Sequence, residues 1–250
     1  MHQTIQEQPK YRNWVALKLI YVPLVLTGCT AVLTLYYPWV KIFPPLFLLM
    51  MLYFLYARYL FSPKGKNLQV ELQRFLVNEI SWNGKGKVLD IGCGNGALAI
   101  RLAKKYPNAT VVGVEYRNFD HAVCMRNAEL ENVADRVSFQ QSTIVDLPFE
   151  DGRFNLVVSN LTFHEVTEIK DRRRLLEEAI RVLDAGGVFV FQDLFLTKKV
   201  FGNLNPFLDM VAQWGAESVE FVNVVDSDII PGILKTPFMI GSLGIIKGNT

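Results

Sequence analysis

The run VLDIGCGNG, Val88 to Gly96, decides how the rest of this 250-residue chain is read. Val88, Leu89 and Ile91 suit a central strand. Gly92, Gly94 and Gly96 then permit a tight turn and close approach of the backbone to a ligand. A helix over about Asn95–Tyr106 would follow, with Ala97, Leu98, Ile100, Leu102 and Ala103 on its apolar side. Its N-terminus would offer free N–H groups and the positive end of a dipole. Gly92, Gly94 and Ala97 formally satisfy the dinucleotide pattern G-x-G-x-x-A, a weak signal alone. Asp90 argues for another ligand. A pyrophosphate gains nothing from a carboxylate at the strand end, whereas a cationic, methionine-like group does. Glu115 closes the next strand and is placed to accept hydrogen bonds from ribose hydroxyls, a feature common to both kinds of adenosine cofactor.

Downstream, strand and helix patterns alternate. A helix over 68–80 precedes the glycine strand, Lys87–Ile91. Strands are expected at 111–115, 137–140, 156–159 and 188–192, with helices over 119–131 and 175–183. Gly186 and Gly187 are read as stopping the latter helix. A helix over 207–214 and strands at 218–224 and 243–247 complete the chain. Continuously apolar strands separated by helices imply a parallel sheet covered on both faces. The last two strands have no long crossover between them, so an antiparallel edge pairing is expected.

The glycine loop VLDIGCGNG, the acid in VVGVEYR, DLPF, FNLVVSNLTFHEV and RVLDAGGVFVFQD occur in that order. Together they resemble the class I S-adenosylmethionine-dependent methyltransferases of the small-molecule type, over about Leu68 to Gly248. The resemblance implies an α/β, Rossmann-like fold with a mostly parallel seven-stranded sheet and an antiparallel last strand. It implies S-adenosyl-L-methionine as cofactor. Asp90, Gly92, Cys93, Gly94 and Gly96 would contact its amino-acid part, Glu115 its ribose, and Tyr116, Thr143 and Ile144 its adenine, while Asn160 would contact its amino group or the acceptor. Two positions depart from the family. Thr143 stands where an Asp or Asn often binds the adenine amino group. Asn155 stands where an Asp commonly precedes the fourth strand, and is read as structural.

Open α/β sheets bind ligands beyond the carboxyl ends of their strands. His164 and Glu165 follow the fourth strand there. His164 is the first candidate for a general base, since its ordinary pKa lies near neutrality; Glu165 is the alternative. A histidine that only packs or caps a helix competes with both roles. Asp193, Phe163 and Phe195 would bound the acceptor pocket, the two phenylalanines being equally suited to the core. An inactive scaffold retaining the fold, or an NAD-dependent oxidoreductase, are the other function classes.

The front of the chain is different. Residues 1–66 carry seven Lys or Arg and one acid, a balance of +6; the remainder carries 19 bases and 23 acids, a balance of −4. No residue from Leu19 to Tyr36 is charged, and a second apolar run covers Ile42 to Ala57 before Arg58. A spanning helix needs roughly 17–25 such residues. Residues 15–61 are therefore expected to form two transmembrane helices, about 15–37 and 42–61, Arg58 snorkelling to the interface. Tyr36, Tyr37, Trp39, Tyr56 and Tyr59 lie where interfacial aromatics belong. A 1–14 tail precedes the helices, a 62–67 linker follows, and 68–250 is the catalytic domain. Bases flank both outer ends, which places both termini and the catalytic domain in the cytoplasm by the positive-inside rule. The expected partners are the bilayer and a small or lipid-soluble acceptor. No nucleic-acid groove is expected, because the body's one dense basic cluster, Arg172–Arg174, reads as solvated surface. Cys29, Cys93 and Cys124 suggest neither a metal site nor a disulfide.

Overall fold

The computed structural model describes residues 7–117 and 119–250. They divide into two compact units. One is formed by residues 13–72. The other unites the N-terminal residues up to Arg12 with Gln73–Thr250.

The first unit is a helical hairpin. Helix α1 spans Lys18–Leu33 and helix α2 spans Phe43–Phe61, joined through a 3-10 turn at Pro38–Ile42. The two helices pack on each other. Arg58, in the last turn of α2, donates from Nη1 to the carbonyl of Val15, and Asn13 Nδ2 donates to the Arg58 carbonyl at 3.0 Å. Arg58 thus closes the open end of the hairpin onto the chain entering α1. Apolar side chains along both helices stay exposed, including Leu24, Val25, Leu49 and Leu52. With its preceding turn, α2 forms a 24-residue apolar segment, Pro38–Phe61, long enough to cross a bilayer by length and composition. The first helix is shorter than expected. Its 16 residues rise about 24 Å, and it ends at Leu33 rather than near residue 37.

The second unit is a seven-stranded sheet in the order β3-β2-β1-β4-β5-β7-β6. Its strands are β1 Lys85–Ile91, β2 Asn108–Glu115, β3 Val137–Gln141, β4 Phe154–Asn160, β5 Leu183–Asp193, β6 Ser218–Asn223 and β7 Gly244–Asn249. β1 pairs in parallel with β2 and β4, β2 with β3, and β4 with β5. β7 inserts between β5 and β6 and runs antiparallel to both. The β6–β7 connection, residues 224–243, holds only the 3-10 turns Val224–Asp226 and Gly232–Leu234 and no α-helix to cover the sheet as a crossover would, which accords with the antiparallel pairing.

Helix α3 (Leu68–Asn78) leads towards the sheet from the hairpin side of the sequence. Helices α4 (Ala97–Lys105) and α5 (His121–Leu130) connect β1 to β2 and β2 to β3. Helix α6 (Arg174–Arg181) connects β4 to β5. A single turn, α7 (Lys198–Phe201), and helix α8 (Leu204–Gln213) follow β5. The main core lies under α6 and α8. Leu175, Leu176, Ala179 and Ile180 of α6 pack with Leu89, Ile91, Val157, Phe189 and Phe191 of the sheet.

Two expectations change. Gly186 and Gly187 do not stop a helix: α6 ends at Arg181, and the glycines lie inside β5. There the register against β4 slips, with Phe154 opposite Leu183 and Leu156 opposite Val188, so they accommodate a bulge. The Arg172–Arg174 cluster is also more engaged than a solvated surface. Arg172 Nε donates to the Val166 carbonyl, and Arg173 pairs with Asp171 at 2.7 Å.

Candidate active site

The strand periodicity gathers the polar residues. Side chains alternate between faces, and paired residues of parallel strands share a face. Asp90 is level with Gly113 of β2 and with Val158 of β4. Glu115, Asp90, Asn160 and Gln192 therefore share one face, at the carboxyl ends of four adjacent strands in the order β2-β1-β4-β5. Asn160 and Gln192 are register partners. Asp193 points to the opposite face.

The glycine loop is locked from beneath. Gly92 and Cys93 both donate to the Val114 carbonyl, at 2.8 and 3.0 Å. Ser159 Oγ and Thr162 Oγ1 both donate to the Ile91 carbonyl, at 2.9 and 3.2 Å. Gly92 has φ +75°, and a Cβ there would meet Thr162 Oγ1 at 2.0 Å, so glycine is obligatory on two counts. Gly94 has φ +55° and nothing within 4 Å of its missing Cβ. The chain thus presents bare backbone to open space at the centre of the loop, and Gly96 begins α4 in the left-handed conformation. Cys93 is buried, which pushes its thiol pKa up; Cys124 Sγ, pushed to about 11 chiefly by burial, donates to the Gly94 carbonyl.

Glu115 Oε2 accepts from Gly94 N at 2.9 Å, and Oε1 accepts from the N–H groups of Tyr116 and Arg117 at 2.9 and 3.0 Å. Oε2 keeps a lone pair, and the carboxylate is fixed in orientation. Tyr116 lies against the Arg117 guanidinium, 5.0 Å from ring centroid to Cζ. Its buried hydroxyl has no partner among the described residues, and burial raises its pKa to about 12. Arg117 is itself held by Thr167 and Glu168. Thr143 Oγ1 accepts from Val145 N at 3.2 Å, and the Ile144 side chain is buried in the core. Asn155 is structural: its Oδ1 accepts from Lys87 N at 2.9 Å and ties β4 to β1.

Asp90 is buried, and its Oδ2 has no hydrogen-bond partner among the described residues. Burial raises its pKa to about 7, opposed by a hydrogen bond from the Ala99 backbone and assisted by the nearby Glu115. Asn160 Oδ1 is likewise buried and unpartnered. Two buried acceptors without donors, beside a backbone loop open to solvent, suit a ligand bearing an ammonium group.

On the other face, His164 Nδ1 lies 2.6 Å from Asp193 Oδ1. Asp193 is fully buried. Its Oδ2 accepts from Phe163 N and His164 N at 2.8 and 3.3 Å, and its Oδ1 from Leu194 N at 2.6 Å. With both carboxyl oxygens acting as acceptors, Nδ1 of His164 carries the hydrogen and Nε2 is the free acceptor. Burial depresses the imidazole pKa, but the charge and hydrogen bond of Asp193 outweigh it, so the net shift is upward. Leu161, with φ +54°, turns the chain from β4 into this 3-10 turn, a strained conformation for a leucine. Glu165, at the end of the same turn, is exposed.

Phe163 and Phe195, expected to wall a pocket or to fill the core, are fully buried. Phe163 packs edge-on against Phe191 at 5.4 Å, and Phe195 against Phe201 at 5.0 Å. Asp193, expected to bound the pocket, lies beneath His164. Three features escaped the sequence reading. Thr162 pins the loop, Gln192 interrupts an apolar strand, and Lys10 meets the site. The Lys10 backbone donates to Asn127 Oδ1 at 2.7 Å, and its carbonyl accepts from Asn127 Nδ2 and Asn95 Nδ2 at 3.2 and 3.1 Å. Only Gln192 left a sequence signal, as the lone amide in VFVFQD.

The profile of the methyltransferase domain family matches residues 83–238. The chain belongs to that family. Its methyltransferase domain is of the S-adenosylmethionine-dependent kind, which decides between the two adenosine cofactors, and the orphaned acceptors Asp90 and Asn160 fit that cofactor's ammonium group. Similar proteins include the ubiquinone/menaquinone biosynthesis C-methyltransferase UbiE of Geobacter sp. (strain M21), 28% identical over 54% of this chain and 57% of the relative. The sterol 24-C-methyltransferase erg6 of Aspergillus fumigatus is 28% identical over 54% of this chain and 34% of the relative. The malonyl-[acyl-carrier protein] O-methyltransferase of Geobacter sulfurreducens is 39% identical over 42% of this chain and 37% of its own length. The chain thus spans between about a third and three fifths of these relatives. Among solved structures, geranyl diphosphate C-methyltransferase from Streptomyces coelicolor A3(2), crystallised with Mg2+, geranyl diphosphate and S-adenosyl-L-homocysteine, aligns with a TM-score of 0.58. It shares 17% identity over 74% of this chain and 80% of that one, a likeness of fold.

Proposed function

We propose that this protein transfers the methyl group of S-adenosylmethionine to a small lipid-soluble acceptor held at a bilayer surface, with His164 taking the acceptor's proton. The observation that carries the reading is the α1–α2 hairpin, whose apolar residues remain exposed. A methyltransferase acting on a polar, water-borne compound has no physical need of such a surface. Residues 13–72 would act as a two-helix membrane anchor. A tether of this kind raises the effective concentration of anything dissolved in the bilayer. The basic residues outside both helices favour a cytoplasmic catalytic unit. The relatives' names range from ubiquinone/menaquinone biosynthesis and a sterol to malonyl-[acyl-carrier protein], so it is the hairpin that supports the lipophilic choice.

The cofactor supplies an electrophilic methyl group. The chain's own work is to hold it, align the acceptor and exclude water. Glu115 would orient the ribose, and Asp90 with Asn160 the amino-acid end. Tyr116 would flank the adenine, with Thr143 and Ile144 at its edge. His164 Nε2, kept free by Asp193, is suited to accept a proton as the new bond forms. Glu165 is the weaker choice, because its exposure offers no comparable orientation.

The test is to partition the full-length protein between membrane and soluble fractions, then incubate it with methyl-labelled S-adenosylmethionine and separate extracts of the source membranes. Label in the organic-soluble extract is expected. Label confined to water-soluble compounds would sink the lipophilic acceptor, and recovery only in the soluble fraction would sink the anchor.

A further inference from the structure

Gln192 has no role in the reading above. It is fully buried, and neither its Oε1 nor its Nε2 has a hydrogen-bond partner among the described residues. A primary amide left entirely unpaired in the interior is costly and rarely retained without a reason. Its position supplies one. Gln192 stands level with Asn160, whose buried Oδ1 is also unpartnered. Both sit on the face and at the strand ends that carry Asp90 and Glu115.

The order along the sheet gives direction to this row. Glu115 on β2 marks the ribose end of the cofactor, and Asp90 on β1 marks its amino-acid end. Asn160 on β4 comes next, and Gln192 on β5 lies beyond it. Strands are spaced about 4.8 Å apart, so Gln192 is roughly 10 Å from the β1 loop, on the side away from the ribose. A group there lies past the cofactor, where the acceptor must be.

We infer that Gln192, next to Asn160 at the cofactor's amino-acid end, forms a recognition site for a neutral oxygen group of the methyl acceptor, a hydroxyl or a carbonyl. An amide offers one strong acceptor and two donors without charge. It suits a hydroxyl, which both donates and accepts, or a carbonyl. It lacks the cation that would favour a carboxylate or phosphate. This inference rests on the methyltransferase reading and adds the chemical class of the acceptor's polar end.

The experiment compares the full-length protein with Gln192→Met, which keeps the volume and removes the amide. Removing an unpaired buried amide should raise the melting temperature of the cofactor-free protein by about 3 °C. The Kd for S-adenosylhomocysteine should stay within about twofold. Labelled methyl incorporation into the neutral fraction of an organic membrane extract should fall at least tenfold, and the wild-type acidic fraction should stay unlabelled. A lower melting temperature would mean that Gln192 is a structural hydrogen-bonding group. A tenfold weaker Kd would make it a cofactor contact. Unchanged incorporation, or wild-type label in the acidic fraction, would refute the acceptor class. If the wild type labels only the aqueous extract, the lipophilic acceptor fails, while the melting shift and the neutral-against-acidic split of that extract still judge Gln192.

Discussion

Asp193 holds His164 from two directions, with Oδ1 2.6 Å from the ring Nδ1 and Oδ2 3.3 Å from the backbone nitrogen of the same residue. One carboxylate thus fixes both the turn that carries the imidazole and the tautomer of its ring. The loop after β4 and the end of β5 are bound into a single polar unit.

Replacing Asp193 should separate those two duties. Asp193→Ala leaves the N–H groups of Phe163 and Leu194 without their acceptor, at a cost of about 1–3 kcal/mol each, and thermal melting should drop accordingly. Asp193→Asn keeps the shape but removes the charge. In the wild type the Asp193 charge outweighs burial and raises the His164 pKa. A base must be neutral, so turnover should rise with pH through a value above the ordinary histidine pKa. In Asp193→Asn the rising limb should move to lower pH, and the plateau should fall. An unmoved limb would remove His164 from proton transfer.

His164→Ala gives the complementary measurement. Its Kd for S-adenosylhomocysteine should be nearly unchanged, because the hydrogen bonds of His164 go to Asp193 and not to Glu115, Asp90 or Asn160. Turnover should fall by about 10²–10⁴-fold, the usual worth of a positioned base. Unchanged turnover would leave the histidine a packing role.

Asp90 makes cofactor binding pH-dependent. Its carboxyl, pushed to about 7 by burial, is mostly protonated in the free protein at pH 6. A bound ammonium favours the ionised form, so binding should release a proton at pH 6, and affinity should tighten as pH rises to about 7 and level off above it. Calorimetry in buffers of different ionisation enthalpy reads the proton directly. The same shift has the opposite sign for the empty protein. A raised acid pKa contributes stability below the unfolded value near 4, and this is lost as pH rises to about 7. Asp90→Asn should flatten both dependences.

Glu115→Ala should weaken binding of S-adenosylhomocysteine by about 10–100-fold, the worth of hydrogen bonds to a charged group. It also frees Gly94 N, which the carboxylate now holds at 2.9 Å. Titration by calorimetry measures the loss. Binding within twofold of wild type would remove Glu115 from the ribose.

Asn127→Ala should release residues 7–12. The buried side chain of Asn127 makes two hydrogen bonds to Lys10 and one to the Asn95 carbonyl at 3.0 Å. Amide exchange at Lys10 should accelerate, and the glycine loop should become more open to exchange. Protection unchanged at both places would show that the contact carries no energy.

The sheet was legible because its strands are continuously apolar and its helices amphipathic, so period and order agreed along most of the chain. Glu115 and Asp90 were legible because an acid at the end of an apolar strand stands out. Element ends were harder. The glycines at 186 and 187 carry a helix-stop signal, yet they serve a bulge whose existence depends on the register with β4. Phe163 and Phe195 could not be placed, since an aromatic beside a strand end suits core and pocket alike until α6 and α8 are packed. Lys10 gave no sign at all. Its part is played by backbone atoms, which every residue possesses.

The contact of Lys10 with Asn127 and Asn95 also alters what the hairpin is topologically. The chain belongs to the catalytic unit up to Arg12, leaves it, and rejoins at Gln73. Residues 13–72 are therefore an insertion closed at both ends, with two crossing points into the same unit. A protein shortened to begin at Gln73 would discard the segment that steadies Asn95 along with the apolar helices. Replacing residues 13–72 by a flexible bridge while keeping 7–12 is the shortening that leaves the glycine loop with its full set of partners.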